Sequence, residues 1–163
     1  MKVSVVMGSM SDYPKVEQAV NVLKSFNVGV DVQCLSAHRC LDELMSYLDK
    51  INNDGTEVII ACAGMAAALP GVIAAHTVMP VIGVPIAGSK LDGMDALFSI
   101  VQMPTGVPVA TVAIDGCKNA AYLALQILGI KYKEIKDKVI EERNNMKKAL
   151  LESNAELQTK YKK

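Results

Sequence analysis

The sequence predicts an α/β protein built on an open, doubly wound parallel sheet, and three observations carry that prediction. Short β-branched runs alternate with segments of helical period, the pattern of successive βαβ units. The strand runs are continuously apolar, which suits strands covered on both faces. Of the 163 residues, 51% are hydrophobic and 21% charged, enough for one domain with its own core and no staples.

Taken in order, the first strand is read at residues 2–7, Lys2-Val3-Ser4-Val5-Val6-Met7. Asp12 caps a helix over 14–26, with Pro14 near the first turn, where its missing N–H costs nothing. Strand 29–35 and helix 41–53 follow, then strand 57–62 and helix 68–78. Strand 80–85 leads to helix 93–102, which Pro104 and Gly106 stop. The last pair is strand 107–114 and helix 118–129, ended by Gly129. Right-handed crossovers then give a flavodoxin-like three-layer α/β/α sandwich of sheet order 2-1-3-4-5. In that order strand 1 lies between strands 2 and 3, so the loops leaving their carboxyl ends meet at one edge, where such folds bind ligands.

Residues 131–163 are of a different kind. They hold ten Lys/Arg and six Asp/Glu, against seven and eleven in residues 1–130. Ile135, Val139, Met146, Leu150, Leu157 and Tyr161 form a stripe too thin to make a core alone. The chain therefore divides into a domain over 1–130 and a charged C-terminal helix over 131–163. That helix lies either on its own domain or on a neighbouring subunit.

The net charge is zero and the pI near 6.7, which gives no reason to expect nucleic acid or an anionic membrane as partner. Residues 58–89 contain no Asp, Glu, Lys or Arg, yet glycines and prolines interrupt them far short of the about 20 apolar residues a spanning helix needs. Cys34, Cys40, Cys62 and Cys117 show no metal spacing and read as reduced, mostly buried thiols. The first residues are strand-like and too short for a signal peptide. A cytoplasmic protein is expected.

Three loops are placed at the predicted edge. Gly8-Ser9-Met10-Ser11-Asp12 offers small residues, hydroxyl donors and a helix start to an anion; alone, it also reads as an ordinary N-cap turn. Ser36-Ala37-His38-Arg39 joins a side chain that titrates near neutrality to a bidentate anion donor; alone, it could be a solvated pair. Ala63-Gly64-Met65-Ala66-Ala67-Ala68-Leu69-Pro70-Gly71 would let backbone lie against a flat ligand. Together they describe an anion pocket, a proton carrier and a snug wall. No Ser-His-Asp arrangement, metal cluster or Schiff-base lysine is evident. His76 falls in a helical stretch and is read as core or surface filler.

These loops resemble, in order and spacing, the N(5)-carboxyaminoimidazole ribonucleotide mutase family of purine biosynthesis. Leu35–Arg39, Leu69-Pro70-Gly71, Val81–Pro85, Leu97–Pro104 and Gly106–Val112 extend the match over residues 2–150. The resemblance implies a homo-octamer with active sites between subunits, a small ribonucleotide substrate, and neither metal nor organic cofactor. It gives Ser9, Ser11, Asp12 and Arg39 to the ribose phosphate, with Gly8 beside them. Ser36 and Ala37 would line the carboxylate end, Gly64, Ala66 and Ala67 would pack the aminoimidazole, and Leu69 would also contact the substrate. His38 would shuttle the proton while the carboxylate moves from the exocyclic nitrogen to the ring carbon.

Two departures stand out. Ala68 occupies a position that is usually histidine in the mutases, and Met65 one that is often glycine. The related carboxylases, which fix carbon dioxide directly, also lack that histidine, but typically carry Lys where this chain has Arg39 and Ser where it has Pro70. Direct carboxylation is thus the alternative activity. An FMN carrier on the same fold is a third, disfavoured by the absence of Trp and by only two Phe and five Tyr.

Overall fold

The computed structural model describes residues 1–161; the last two lysines of the charged tail lie outside the described residues. Five strands pair in parallel in the order β2-β1-β3-β4-β5. They are β1 (Lys2–Met7), β2 (Gly29–Cys34), β3 (Val58–Gly64), β4 (Val81–Ile86) and β5 (Ala110–Thr111). The helices are α1 (Tyr13–Ser25), α2 (Leu41–Ile51), α3 (Leu69–His76), α4 (Met94–Val101), α5 (Cys117–Lys131) and α6 (Lys133–Tyr161). The predicted sheet order and layering are those observed.

Strand alternation divides the core between the two faces. Val3, Val5, Val58, Ile60, Ile82 and Val84 bury against α1, α5 and the start of α6. Val6, Ile59, Ala61 and Val81 bury with Leu44 and Leu48 of α2, Ile73 of α3 and Ile100 of α4. Ser4, the one polar residue at 0% exposure among the described residues, points to the second face and pairs with the Tyr47 hydroxyl at 2.7 Å. Burial pushes the Tyr47 phenol well above its ordinary value, so it stays neutral and can donate.

Gly83 shows how tightly one face closes. A Cβ there would lie 2.5 Å from Ile100 Cγ2 and 2.7 Å from Val109 Cγ1. Only glycine lets α4 and the β5 segment approach the sheet together.

Four expectations need correction. The last strand pairs over Ala110–Thr111 alone, not 107–114; Pro108 has no N–H to give, and beyond Thr111 a single bond from the Val112 N–H to the Gly83 carbonyl (3.1 Å) continues the ladder. Gly129 does not end α5, which runs on to Lys131. It instead makes room for α6, since a Cβ there would meet the Lys136 Cα at 3.3 Å. Asp12 precedes α1 without a side-chain cap bond, because a 3-10 turn over Met10–Asp12 comes first. Only Cys62 and Cys117 are buried; Cys34 is exposed and Cys40 half-buried.

Candidate active site at the carboxyl edge of the sheet

Sheet pairing positions the loops. The Gly8 N–H bonds the Cys62 carbonyl at 3.2 Å and the Leu35 N–H bonds the Met7 carbonyl at 2.9 Å. The ladders therefore extend past the strand ends and hold the first loop between the second and third. A cleft of about 560 Å³ opens there, within the usual range for a small-molecule site.

From the first loop come Gly8, Ser9, Ser11 and Asp12. Ser9 Oγ accepts from the Ser11 N–H (3.3 Å) and from Ser11 Oγ (2.8 Å), which closes the turn. Burial pushes the Asp12 carboxyl above its ordinary value; the Ser11 hydrogen bond and the Lys15 charge oppose it, Asp115 adds to it, and Arg39 opposes it.

The second loop brings Ser36, Ala37, His38 and Arg39. The Arg39 guanidinium donates to the Gly8 carbonyl and, from Nε, to Ser36 Oγ at 3.3 Å. It thereby ties the two loops together. Cys40 steadies the turn from below: its Sγ accepts the Ser36 N–H at 3.0 Å, and the Arg39 and Cys40 N–H groups bond the Ser36 carbonyl. His38 is exposed at the cleft.

From the third loop come Gly64, Ala66, Ala67 and Leu69, with Met65 and Ala68 among them. Gly64 is required by a close approach, since a Cβ would sit 3.0 Å from the Ile86 carbonyl oxygen. Met65 adopts φ of 56°, in the left-handed region that favours glycine, and its side chain is 68% exposed. All twelve residues singled out from the sequence thus border one cleft.

Two contributors were missed. Lys15 of α1 enters the cleft, although no lysine was expected there, and Ile86-Ala87-Gly88 after β4 forms a fourth wall. Lys15 Nζ bonds the Ala87 carbonyl at 2.7 Å and Asp115 at 2.8–2.9 Å. Helical spacing from Asp12 was the one available signal for Lys15. His76 lies elsewhere, at the end of α3, where Nε2 meets Asp49 Oδ1 at 2.9 Å. His38 is therefore the one histidine of the chain at the cleft. Among the described residues no group of three or more His, Cys, Asp or Glu is placed to hold a metal ion.

The AIR carboxylase family model matches residues 2–149. The chain belongs to that family. A Pyrococcus abyssi protein named N5-carboxyaminoimidazole ribonucleotide mutase is 55% identical over 147 residues, covering 90% of this chain and 84% of that one. A Saccharolobus solfataricus protein of the same name is 51% identical over 155 residues, covering 95% and 98%. The crystal structure of Treponema denticola PurE superposes with a TM-score of 0.88 at 29% identity, covering 96% of this chain and 98% of that one. The same fold therefore extends over nearly the whole of both chains.

Proposed function

We propose that this chain is the mutase of purine biosynthesis that converts N5-carboxyaminoimidazole ribonucleotide into 4-carboxy-5-aminoimidazole ribonucleotide, with His38 moving the proton. Its relatives carry that mutase name over nearly the whole chain. The observation that carries the reading is the placement of a lone cleft histidine among an arginine, three serines and a wall of small residues.

The chemistry needs little else. His38, as imidazolium, gives its proton to the exocyclic nitrogen of the carbamate; the C–N bond breaks and carbon dioxide leaves. The ring carbon of the resulting amine attacks the carbon dioxide, forming the new C–C bond. Neutral His38 then removes the proton from that carbon, which restores the aromatic ring and regenerates the imidazolium. Protons and carbon balance without a co-reactant. One group serving in turn as acid and base works best with a pKa near the operating pH, the unperturbed range of histidine. Small side chains at Gly64, Ala66 and Ala67 would keep the freed carbon dioxide close to the ring. Ser9, Ser11 and Arg39 offer donors to the phosphate, Asp12 can accept from ribose hydroxyls, and Ser36 and Ala37 border the carboxylate.

His38→Asn should lower turnover by about 10²–10⁴-fold, the usual worth of a positioned acid–base group, with unchanged unfolding. Retained turnover in a folded H38N enzyme overturns the assignment. Direct carboxylation of aminoimidazole ribonucleotide is the second reading, and Ala68 favours it, because a residue usual in the mutases is absent. Consumption of free amine plus bicarbonate, but not of carbamate, would select it.

The assembly we infer is a cytoplasmic homo-octamer with α6 on a neighbour. Only Ile135 and Val139 of α6 are buried, whereas Leu150, Leu157 and Tyr161 are more than half exposed. Met94, Phe98 and Val101 form a second exposed apolar stripe along α4.

A further inference from the structure

We propose that Lys15 and Asp115 form a positioning pair that fixes the Ile86-Ala87-Gly88 segment as the fourth wall of the cleft, and so sets how tightly the anionic substrate is held. The inference concerns the site assigned above and rests on that reading for its substrate.

The need for such a pair comes from where the sheet stops. β4 ends at Ile86, so from Ala87 onward the backbone must find partners outside the strand ladder. Both polar groups of Ala87 are taken by side chains. Its carbonyl accepts from Lys15 Nζ at 2.7 Å, and its N–H donates to Asp115 Oδ1 at 2.9 Å. Lys15 Nζ closes the triangle on Asp115 at 2.8–2.9 Å. Asp115 is itself anchored to the same strand, its N–H bonding the Pro85 carbonyl at 2.8 Å. It holds φ of 56°, a conformation uncommon outside glycine. Four contacts from one residue make that backbone the better choice there.

Lys15 also bears on the charge of the cleft. Asp12 is the carboxylate that lines the cleft, and Asp115 is near enough to push it up. Lys15 from α1 and Arg39 from the second loop are the cations facing Asp12, and buried Cys62 lies beneath. Without Lys15, the Asp12 carboxylate would face an anionic ligand with one cation beside it instead of two, which weakens binding. Lys15 Nζ is committed to Ala87 and Asp115, so its role is in binding geometry and charge rather than in proton transfer.

The test compares Lys15→Met, Asp115→Gly and the double variant with the wild-type enzyme. Glycine at 115 keeps the left-handed backbone and removes only the carboxylate. Each single variant should raise KM about tenfold with kcat within about twofold, because only ground-state and transition-state binding alike are lost. The double variant should be no worse than the poorer single one, and Lys15→Arg should recover most of the loss. Amide hydrogen exchange at Ala87 should speed at least about tenfold in K15M and D115G, since both of its anchors loosen. A KM within twofold of wild type, a loss confined to kcat, additive effects or unchanged Ala87 exchange would overturn the proposal. If K15M unfolds, Lys15→Gln, which can still donate to Ala87, carries the same comparison with a smaller rise in KM. Should the wild type not act on the carbamate at all, the functional reading fails, while the exchange measurement still decides whether the pair fixes the loop.

Discussion

His38, Arg39 and Met65 sit on loops whose backbone is set by neighbours more than by their own side chains. The Ser36 carbonyl and Cys40 thiol hold the His38-Arg39 turn, so changing the imidazole removes the proposed proton carrier without removing a support. Met65 is the reverse case. An L-residue in the left-handed region costs about 1–2 kcal/mol, and the exposed Met65 side chain recovers little of that by packing. Met65→Gly relieves the strain but frees the unfolded chain by roughly 0.5–1 kcal/mol. The expected net effect is a stabilisation of up to about 1.5 kcal/mol, read as a raised urea midpoint; a lowered midpoint would show that Met65 makes contacts that matter. Cleft residues were legible at this scale wherever side-chain chemistry was concentrated within a few positions, as in Ser36-Ala37-His38-Arg39. Lys15 was not, because the partners that give it meaning, Ala87 and Asp115, lie 72 and 100 positions away.

Elements are fixed by what their neighbours leave room for. Gly83→Ala would drive a methyl into Ile100 and Val109, and overpacking of this kind costs about 1–3 kcal/mol. Chemical denaturation should show that loss with an unchanged m-value, whereas wild-type stability would mean that α4 can move off the sheet. At the opposite, amino-terminal edge, Lys2 of β1 bonds Asp54 in the turn before β3 and lies 3.6 Å from Asp31 of β2. The Lys2 hydrogen bond, reinforced by Thr56, holds the Asp54 carboxyl down to about 2. A depressed carboxylate stabilises the native state fully above its ordinary value near 3.8 and loses that contribution as pH falls toward about 2. Thermal unfolding of the wild type should therefore weaken across that window more steeply than that of Asp54→Asn; parallel curves would show that the pair contributes nothing. Alternating strand and helix periods made the sheet order readable. The extent of β5 and the role of Gly129 were not, since a proline's missing donor and a helix's close approach appear only once the chain is packed.

For the whole molecule, the charge division between residues 1–130 and the tail finds its counterpart in α6, which buries Ile135 and Val139 and then continues with an exposed apolar stripe. The octamer proposal predicts that Leu150→Glu together with Leu157→Glu lowers the sedimenting mass at low micromolar concentration. An assembly unchanged by both substitutions would place the contacts elsewhere, the α4 stripe of Met94, Phe98 and Val101 being the next surface to alter. The central claim is that the carboxyl group moves within one enzyme-bound ribonucleotide while His38 carries the proton. It is tested most directly by giving the wild-type protein carbamate substrate labelled with ¹³C at the carboxyl, in excess unlabelled bicarbonate. Product that keeps most of the label is predicted. Product that carries only unlabelled carboxyl, or that forms only from the free amine, would contradict the account.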